Sequence, residues 1–350
     1  MSDHVRAALA TIVDGGTLTL EDARQAMGAV MDGNATPAQL AAMLMGLRMR
    51  GETVDELAGF ATAMRERAVR VEAPAGAIDV VGTGGDGSGT FNISTAAALV
   101  VAAAGVPVAK HGNRAITSKA GSADVLDALG VRIDHDAASA SAALGELGFA
   151  FLFAPNFHPA MKHAGPTRRE IGVRTAFNLL GPLTNPAGTD RQLLGVGDAH
   201  NAERMSEVVA RLGTAKTFVI HGDGVDELPL DDSGVLFHVS PDGIERHVIP
   251  ASKLGLRVTP TARLHGGTPG ENARTIESIF RGEPGAKRDV VLLNAGAALL
   301  VGEAVDTLEA GIERAALTID AGLVTELLGR LRDERRVAQA ATGAGAGAGV

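Results

Sequence analysis

Apolar positions over residues 1 to about 70 recur at helical spacing and are broken by short polar turns, a pattern that predicts a set of packed helices. Three start signals punctuate it: Thr19 with Asp22, Thr36-Pro37 with Gln39, and Thr53 with Glu56. In each, a hydroxyl can accept from the backbone N–H three residues on while the acid or amide reaches back, and Pro37 sits where a missing N–H costs nothing. Met27, Met31, Met43, Met45 and Met49 read as core or interface filler on these helices.

Pro74 and Gly76 mark a boundary, after which short β-like runs alternate with helices. Strands are predicted at 78–81, 106–109, 131–133 and 149–153. Helices are predicted to open at Ser94, Ser122 and Asp136, with Gly105, Gly130 and Gly148 where C-caps belong. The helical, basic segment 158–186 interrupts this rhythm, which resumes with a strand at 193–196, a helix from Asn201 and a strand at 217–221. Two runs at 235–239 and 246–249 pair antiparallel, a mainly helical end follows, and the Ala/Gly-rich tail reads as disordered. The expected fold is α/β, with a mostly parallel central sheet flanked by helices and ligands at the C-terminal ends of its strands. The expected organisation is a small helical domain at 1–73, joined by 160–186, an α/β domain at 74–159 and 187–336, and a disordered tail at 337–350.

One predicted strand end carries the densest chemistry. After Val81 the chain enters a loop with glycines at 82, 84, 85, 87 and 89, then re-enters order at Asn92-Ile93-Ser94-Thr95. Glycine lets backbone N–H groups converge on one point, and the following helix N-terminus adds unpaired donors, so the layout is an anion cradle. Composition sharpens this: the chain has 41 Asp plus Glu against 32 Lys plus Arg, yet no acid lies between Gly87 and Ala123, where Lys110, Arg114 and Lys119 stand. A phosphate is the anion that fits. Gly82-x-Gly84-x-x-Gly87 matches a dinucleotide fingerprint, but the ribose-binding acid about twenty residues on is missing, and no Gly-Lys-Ser/Thr follows to make a nucleotide-triphosphate loop.

The net charge of −9 argues against a nucleic-acid or anionic-membrane partner, and the absence of Trp and Tyr removes stacking platforms for bases. The absence of Cys fits a reducing compartment, and the N-terminus has no basic leader, so a cytoplasmic location is expected. Asp226-Glu227 lies in an acidic loop after a predicted strand; it is either a solvated loop or a hard-carboxylate site for Mg²⁺ shared with substrate phosphates. Adjacent Arg168 and Arg169 point about 100° apart on a helix, so at most one is expected to face a site, where a guanidinium suits a carboxylate.

Gly82-Thr-Gly-Gly-Asp86, Asn92-Ile-Ser-Thr95, Lys110-His-Gly-Asn-Arg114, Gly121-Ser-Ala-Asp124 and the run from Arg168 to Pro186 closely resemble the anthranilate phosphoribosyltransferases. Pyrimidine nucleoside phosphorylases share the architecture but are not expected to carry the 110–114 and 168–186 motifs together. The resemblance implies transfer of a phosphoribosyl group from phosphoribosyl pyrophosphate (PRPP) to anthranilate in tryptophan biosynthesis, with two Mg²⁺ ions per site and a homodimer. It places PRPP on Gly82, Gly85, Asp86, Thr90, Asn92, Ile93, Ser94, Thr95, Lys110, His111, Gly112, Asn113, Arg114, Ser118 and Ser122. It places the metal on Ser94, Asp226 and Glu227, and anthranilate on Gly82, Asn113, His158 and Arg168, leaving Arg169 out. Lys110, Asn113 and Arg168 are the implied catalytic residues. Ala115 and Thr117 stand where the family often has serine, and Phe157 where Tyr is common.

Overall fold

The computed structural model describes residues 2–115 and 119–346. Helix α1 (Asp3–Val13) is followed by α2 (Leu20–Met31), α3 (Pro37–Arg50) and α4 (Val54–Glu66). Thr36 and Thr53 cap α3 and α4, and Gln39 and Glu56 bond back to complete both capping boxes. Thr19 caps α2, but Asp22 accepts from the Thr19 hydroxyl at 2.6 Å rather than from its backbone.

Glu56 does more than close a cap. Its fully buried carboxylate accepts from the backbone N–H of Thr53 at 2.8 Å and Leu18 at 2.9 Å, and takes both its contacts with Arg50 from Nη2, at 2.5 and 2.6 Å. One side chain thus joins the loop before α2, the end of α3 and the start of α4. Glu56→Ala leaves two N–H groups unpaired and the half-buried Arg50 guanidinium without a counter-charge, holding only the Gly16 carbonyl among the described residues, and is expected to cost about 3–5 kcal/mol. Urea unfolding would show this as a lower midpoint, and an unchanged midpoint contradicts it.

The larger part alternates as expected: β1 (Ile78–Gly82), α5 (Ile93–Ala103), β2 (Val108–Gly112), α6 (Ser122–Ala128), α7 (Ala137–Leu147) and β3 (Phe149–Phe153). A short-helical stretch follows with α8 (Ala154–Phe157), a 3₁₀ turn at Pro159–His163, α9 (Gly165–Ile171) and α10 (Phe177–Leu180). Then come β4 (Arg191–Gly195), α11 (Ala199–Leu212), β5 (Lys216–His221), β6 (Gly234–Ser240), β7 (Gly243–Ile249), α12 (Pro269–Phe280), α13 (Ala286–Val301), α14 (Leu308–Asp320) and α15 (Leu323–Ala346). The strands form one sheet in the order β3-β2-β1-β4-β5-β6-β7, parallel from β3 to β5 and antiparallel through β6 and β7.

Strand residues alternate between two cores, as the period of two requires. Leu193, Phe218 and Ile220 enter the core shared with α5 and α13, whereas Leu194 and Val219 enter the one shared with α11 and the N-terminal helices. Ala164, Ala176, Phe177, Leu180 and Leu183 of the 160–186 stretch join that second core beside Met27, Leu44 and Phe60.

Three sequence expectations shift. Pro107 has no N–H for the ladder, so β2 begins at Val108. Residues 131–133 form no strand, because β2 pairs directly with β3 and leaves no slot; Val131 and Ile133 bury their side chains as irregular chain. Finally, α15 continues to Ala346, through most of the stretch expected to be disordered, because alanine is the strongest helix former. The remaining tail positions, 347–350, lie outside the described residues.

Candidate active site

The glycine loop leaves the C-terminal end of β1 at the middle of the sheet, where strand order reverses direction relative to sequence. Gly84, Gly85, Gly87 and Gly89 all have left-handed φ, between 63° and 78°, which side chains with a Cβ adopt only under strain. At Gly82 the requirement is space, since a Cβ there would stand 2.4 Å from Oδ2 of Asp226. The Gly84 N–H donates to that same Oδ2 at 2.7 Å, and the Asp226 N–H donates to Asp86 at 3.3 Å. Glu227 accepts from the Ser94 N–H at 3.0 Å, in the first turn of α5. Sequence-distant acids and the cradle are therefore one constellation.

Both acids carry an electrostatic load. Burial, then repulsion from Asp86, pushes Asp226 up to about 7, and burial, then repulsion from Asp226, raises Glu227 well above the carboxylate range. Glu227 is buried and Asp226 half-buried, neither has an ion-pair partner among the described residues, and a divalent cation would relieve both. No group of three or more His, Cys, Asp or Glu side chains that could hold a metal occurs among the described residues.

Lys110, buried on β2, donates from Nζ to the Val80 carbonyl. Burial lowers its pKa, while Asp79, Glu227 and Asp226 pull it back up. Asp79 is pushed by burial up to about 6 despite Lys110, and it accepts from Asn185 at 2.7 Å and the His111 N–H at 3.2 Å. Asn92 donates to the Ala120 carbonyl at 3.2 Å and accepts from Asn272 of α12 at 2.9 Å, which pins the entry to α5. The Thr95 hydroxyl is buried and has no partner among the described residues, leaving a free donor in the first turn of that helix. Thr90 bridges to His265, and Ile93 is buried, so only its backbone is available to a ligand.

On the other side of Gly82 lies a cavity of about 540 Å³ lined by His111, Gly112, Asn113, His158 and Arg168. Thus His111 and Gly112, expected with PRPP, stand at the second cavity, where the strand end separates the two regions. The Arg168 guanidinium lies over the Phe177 ring at 4.6 Å, and burial lowers its pKa. No carboxylate pairs with it among the described residues, so it is a half-buried cation awaiting an anion. Arg169 also borders the cavity, contrary to the expectation that one arginine alone would face it, because α9 is a single short helix at the rim; the Arg169 side chain is exposed.

The rings of His111 and His158 stand 5.1 Å apart, and each leaves a buried Nε2 without a partner among the described residues. Burial lowers His111 to about 3 and also lowers His158, so both imidazoles are neutral at physiological pH. Arg114 is committed elsewhere: it pairs with Asp124 at 2.8 Å and Asp127 at 3.3 Å, which draws its guanidinium to α6. The Ser122 hydroxyl donates to the Asn113 carbonyl at 3.3 Å. Ser118 lies outside the described residues, as does Thr117. Sequence reasoning misses Phe177, Asn185, Asn272 and His265: Phe177 reaches Arg168 from within the same segment as an ordinary apolar residue, and the contacts of the other three cross long sequence separations and leave no local pattern.

Residues 75–325 match the α/β domain of a glycosyl transferase family, and residues 6–68 match its helical bundle domain. The anthranilate phosphoribosyltransferase of Pelotomaculum thermopropionicum is 48% identical over 93% of this chain and 95% of its own length. The chain belongs to the anthranilate phosphoribosyltransferase family. A second family member, from Symbiobacterium thermophilum, is 49% identical over 94% of this chain and 97% of its own. Among solved structures, the Thermus thermophilus anthranilate phosphoribosyltransferase has a TM-score of 0.89 at 43% identity, covering 94% of this chain and 99% of that one. The Saccharomyces cerevisiae anthranilate phosphoribosyltransferase in complex with PRPP and Mg shares the fold, with a TM-score of 0.87 at 24% identity over 96% and 99% of the two chains. No helix among the described residues is long and apolar enough to cross a membrane.

Proposed function

We propose that this chain transfers the 5-phosphoribosyl group of PRPP to the amine of anthranilate, giving N-(5-phosphoribosyl)anthranilate and pyrophosphate, as its family does in tryptophan biosynthesis. The observation that carries this is the pairing, across Gly82, of a glycine cradle closed by Asp226 and Glu227 with a cavity lined by Arg168, which no carboxylate pairs among the described residues. The first region suits a diphosphate with its cation, and the second an aromatic carboxylate.

Asp226 and Glu227, with Ser94, would hold two Mg²⁺ ions. Bound there, Mg²⁺ would supply Lewis-acid neutralisation of the leaving pyrophosphate. The chain's own contribution is electrostatic and positional. Loop N–H groups, the first turn of α5 with the Thr95 hydroxyl, and the buried Lys110 ammonium offer fixed donors where negative charge grows on the leaving group. Arg168 would take the anthranilate carboxylate, with Asn113 and His158 beside it, and so turn the amine toward C1 of the ribosyl ring. That amine is neutral, so attack needs no strong base, and the ribosyl group passes through an oxocarbenium-like state without a covalent enzyme intermediate.

The chain has no Trp or Tyr, so its own emission does not mask anthranilate fluorescence. Loss of that fluorescence on adding PRPP and Mg²⁺ together, but not either alone, is the expected outcome; no change with folded protein would refute the assignment. We read the active form as a cytoplasmic homodimer joined through the N-terminal helices. Val13 at the end of α1 and Met49 near the end of α3 are 80% and 84% exposed, an apolar surface that a second copy could cover.

A further inference from the structure

The segment that carries Arg168 also reaches the glycine loop, through a residue with no assigned role. Arg174 donates from Nη1 to the Gly85 carbonyl and from Nη2 to the Gly84 carbonyl, the latter at 3.1 Å. It pairs with no carboxylate among the described residues, and its side chain is exposed, so its contacts serve the loop rather than a core. Gly84 and Gly85 form a consecutive left-handed pair, with φ of 64° and 63°. A Cβ on Gly85 would come within 2.6 Å of Nη1 of Arg174, so that position is glycine for its dihedral and for the guanidinium's approach.

The consequence follows from peptide geometry. In a planar trans peptide the C=O of one residue and the N–H of the next point in opposite directions. Gathering the Gly84 and Gly85 carbonyls on Arg174 therefore turns the N–H groups of Gly85 and Asp86 the other way. Neither N–H donates to any group among the described residues, so two aligned donors are left for a ligand. From the opposite flank, Asp226 holds the Gly84 N–H at 2.7 Å, so the loop is fixed between a cation on its carbonyls and an acid on its amide.

We propose that Arg174 is a positioning residue for phosphoribosyl transfer: by holding these carbonyls it aims the N–H groups of Gly85 and Asp86 at the pyrophosphate of PRPP. This rests on the PRPP assignment above. Arg174 itself touches neither substrate; it acts through the backbone that does.

The test compares full-length wild type, Arg174→Ala and Arg174→Lys by calorimetric titration with PRPP and Mg²⁺, steady-state kinetics for both substrates, and thermal melting. For Arg174→Ala, Kd and KM for PRPP are expected to rise roughly tenfold or more, the scale of losing oriented charge-assisted hydrogen bonds. KM for anthranilate and the melting temperature should stay near wild type. Arg174→Lys keeps a charge that reaches at least one carbonyl and should recover part of the PRPP affinity. A folded Arg174→Ala enzyme with unchanged PRPP affinity would overturn the proposal. So would equal weakening of both substrates together with a lower melting temperature, which would make Arg174 a general brace. If wild type binds no PRPP and consumes no anthranilate, the transferase assignment fails instead; if it binds PRPP without turnover, the calorimetric comparison alone decides on Arg174.

Discussion

Replacing Asp226 by Asn and Glu227 by Gln together lowers kcat/KM for PRPP by about a thousandfold at fixed Mg²⁺, the rate equivalent of ~4 kcal/mol. The same double variant is expected to melt at or above the wild-type temperature when no ligand is present. The two effects have one origin. Burial raises both carboxyl pKa values, helped by repulsion from Asp86 on Asp226 and from Asp226 on Glu227, so ionising them inside the protein is unfavourable until a cation arrives. Amides of the same shape keep an oxygen to accept from Gly84 and Ser94 while removing that cost. Activity assays across a Mg²⁺ series, run beside thermal melts, separate the two effects. A folded double variant within tenfold of wild type on kcat/KM would remove these residues from the metal site.

Arg168→Ala is expected to raise KM for anthranilate about 30- to 100-fold, as losing a bidentate guanidinium–carboxylate contact does, with PRPP affinity little changed. Stability should hardly move, because among the described residues the guanidinium has no acid partner to strand and packs over the Phe177 ring. Arg168→Lys should fall between, since an ammonium keeps the charge but loses the planar fork. Anthranilate binding followed by its own fluorescence checks this directly. Unchanged affinity in the alanine variant would move the carboxylate to Arg169 or Lys162 at the same cavity rim.

What could be read ahead of the structure was whatever is written locally. The capping threonines, the alternation of strands with helices and the glycine loop each depend on neighbours within a few residues. The grouping of Asp226 and Glu227 with the loop needed more: the acids and the cradle come from different strand ends, and only the resemblance to a family joined them. Arg174 stands inside a motif visible in the sequence, yet its partners are backbone carbonyls, which bear no side-chain signature. Arg114 shows the opposite failure, since its charge suggested an anion ligand while Asp124 and Asp127 on the next helix already supply one. Residues 131–133 have strand composition, but strand composition does not create a place in a sheet.

The N-terminal helices and the rear face of the sheet share a single apolar core, in which Phe60 and Leu44 belong with Leu194 and Val219. A hinge that swung the helices away would tear that core open and expose buried hydrocarbon to water. Any closing of the acceptor cavity over its substrates must therefore be a slide along a greased seam, with side chains trading neighbours by fractions of a helical turn. It also follows that the helical piece is no free-standing appendage: excised from the sheet, it would carry a raw hydrophobic flank and seek another surface to cover it.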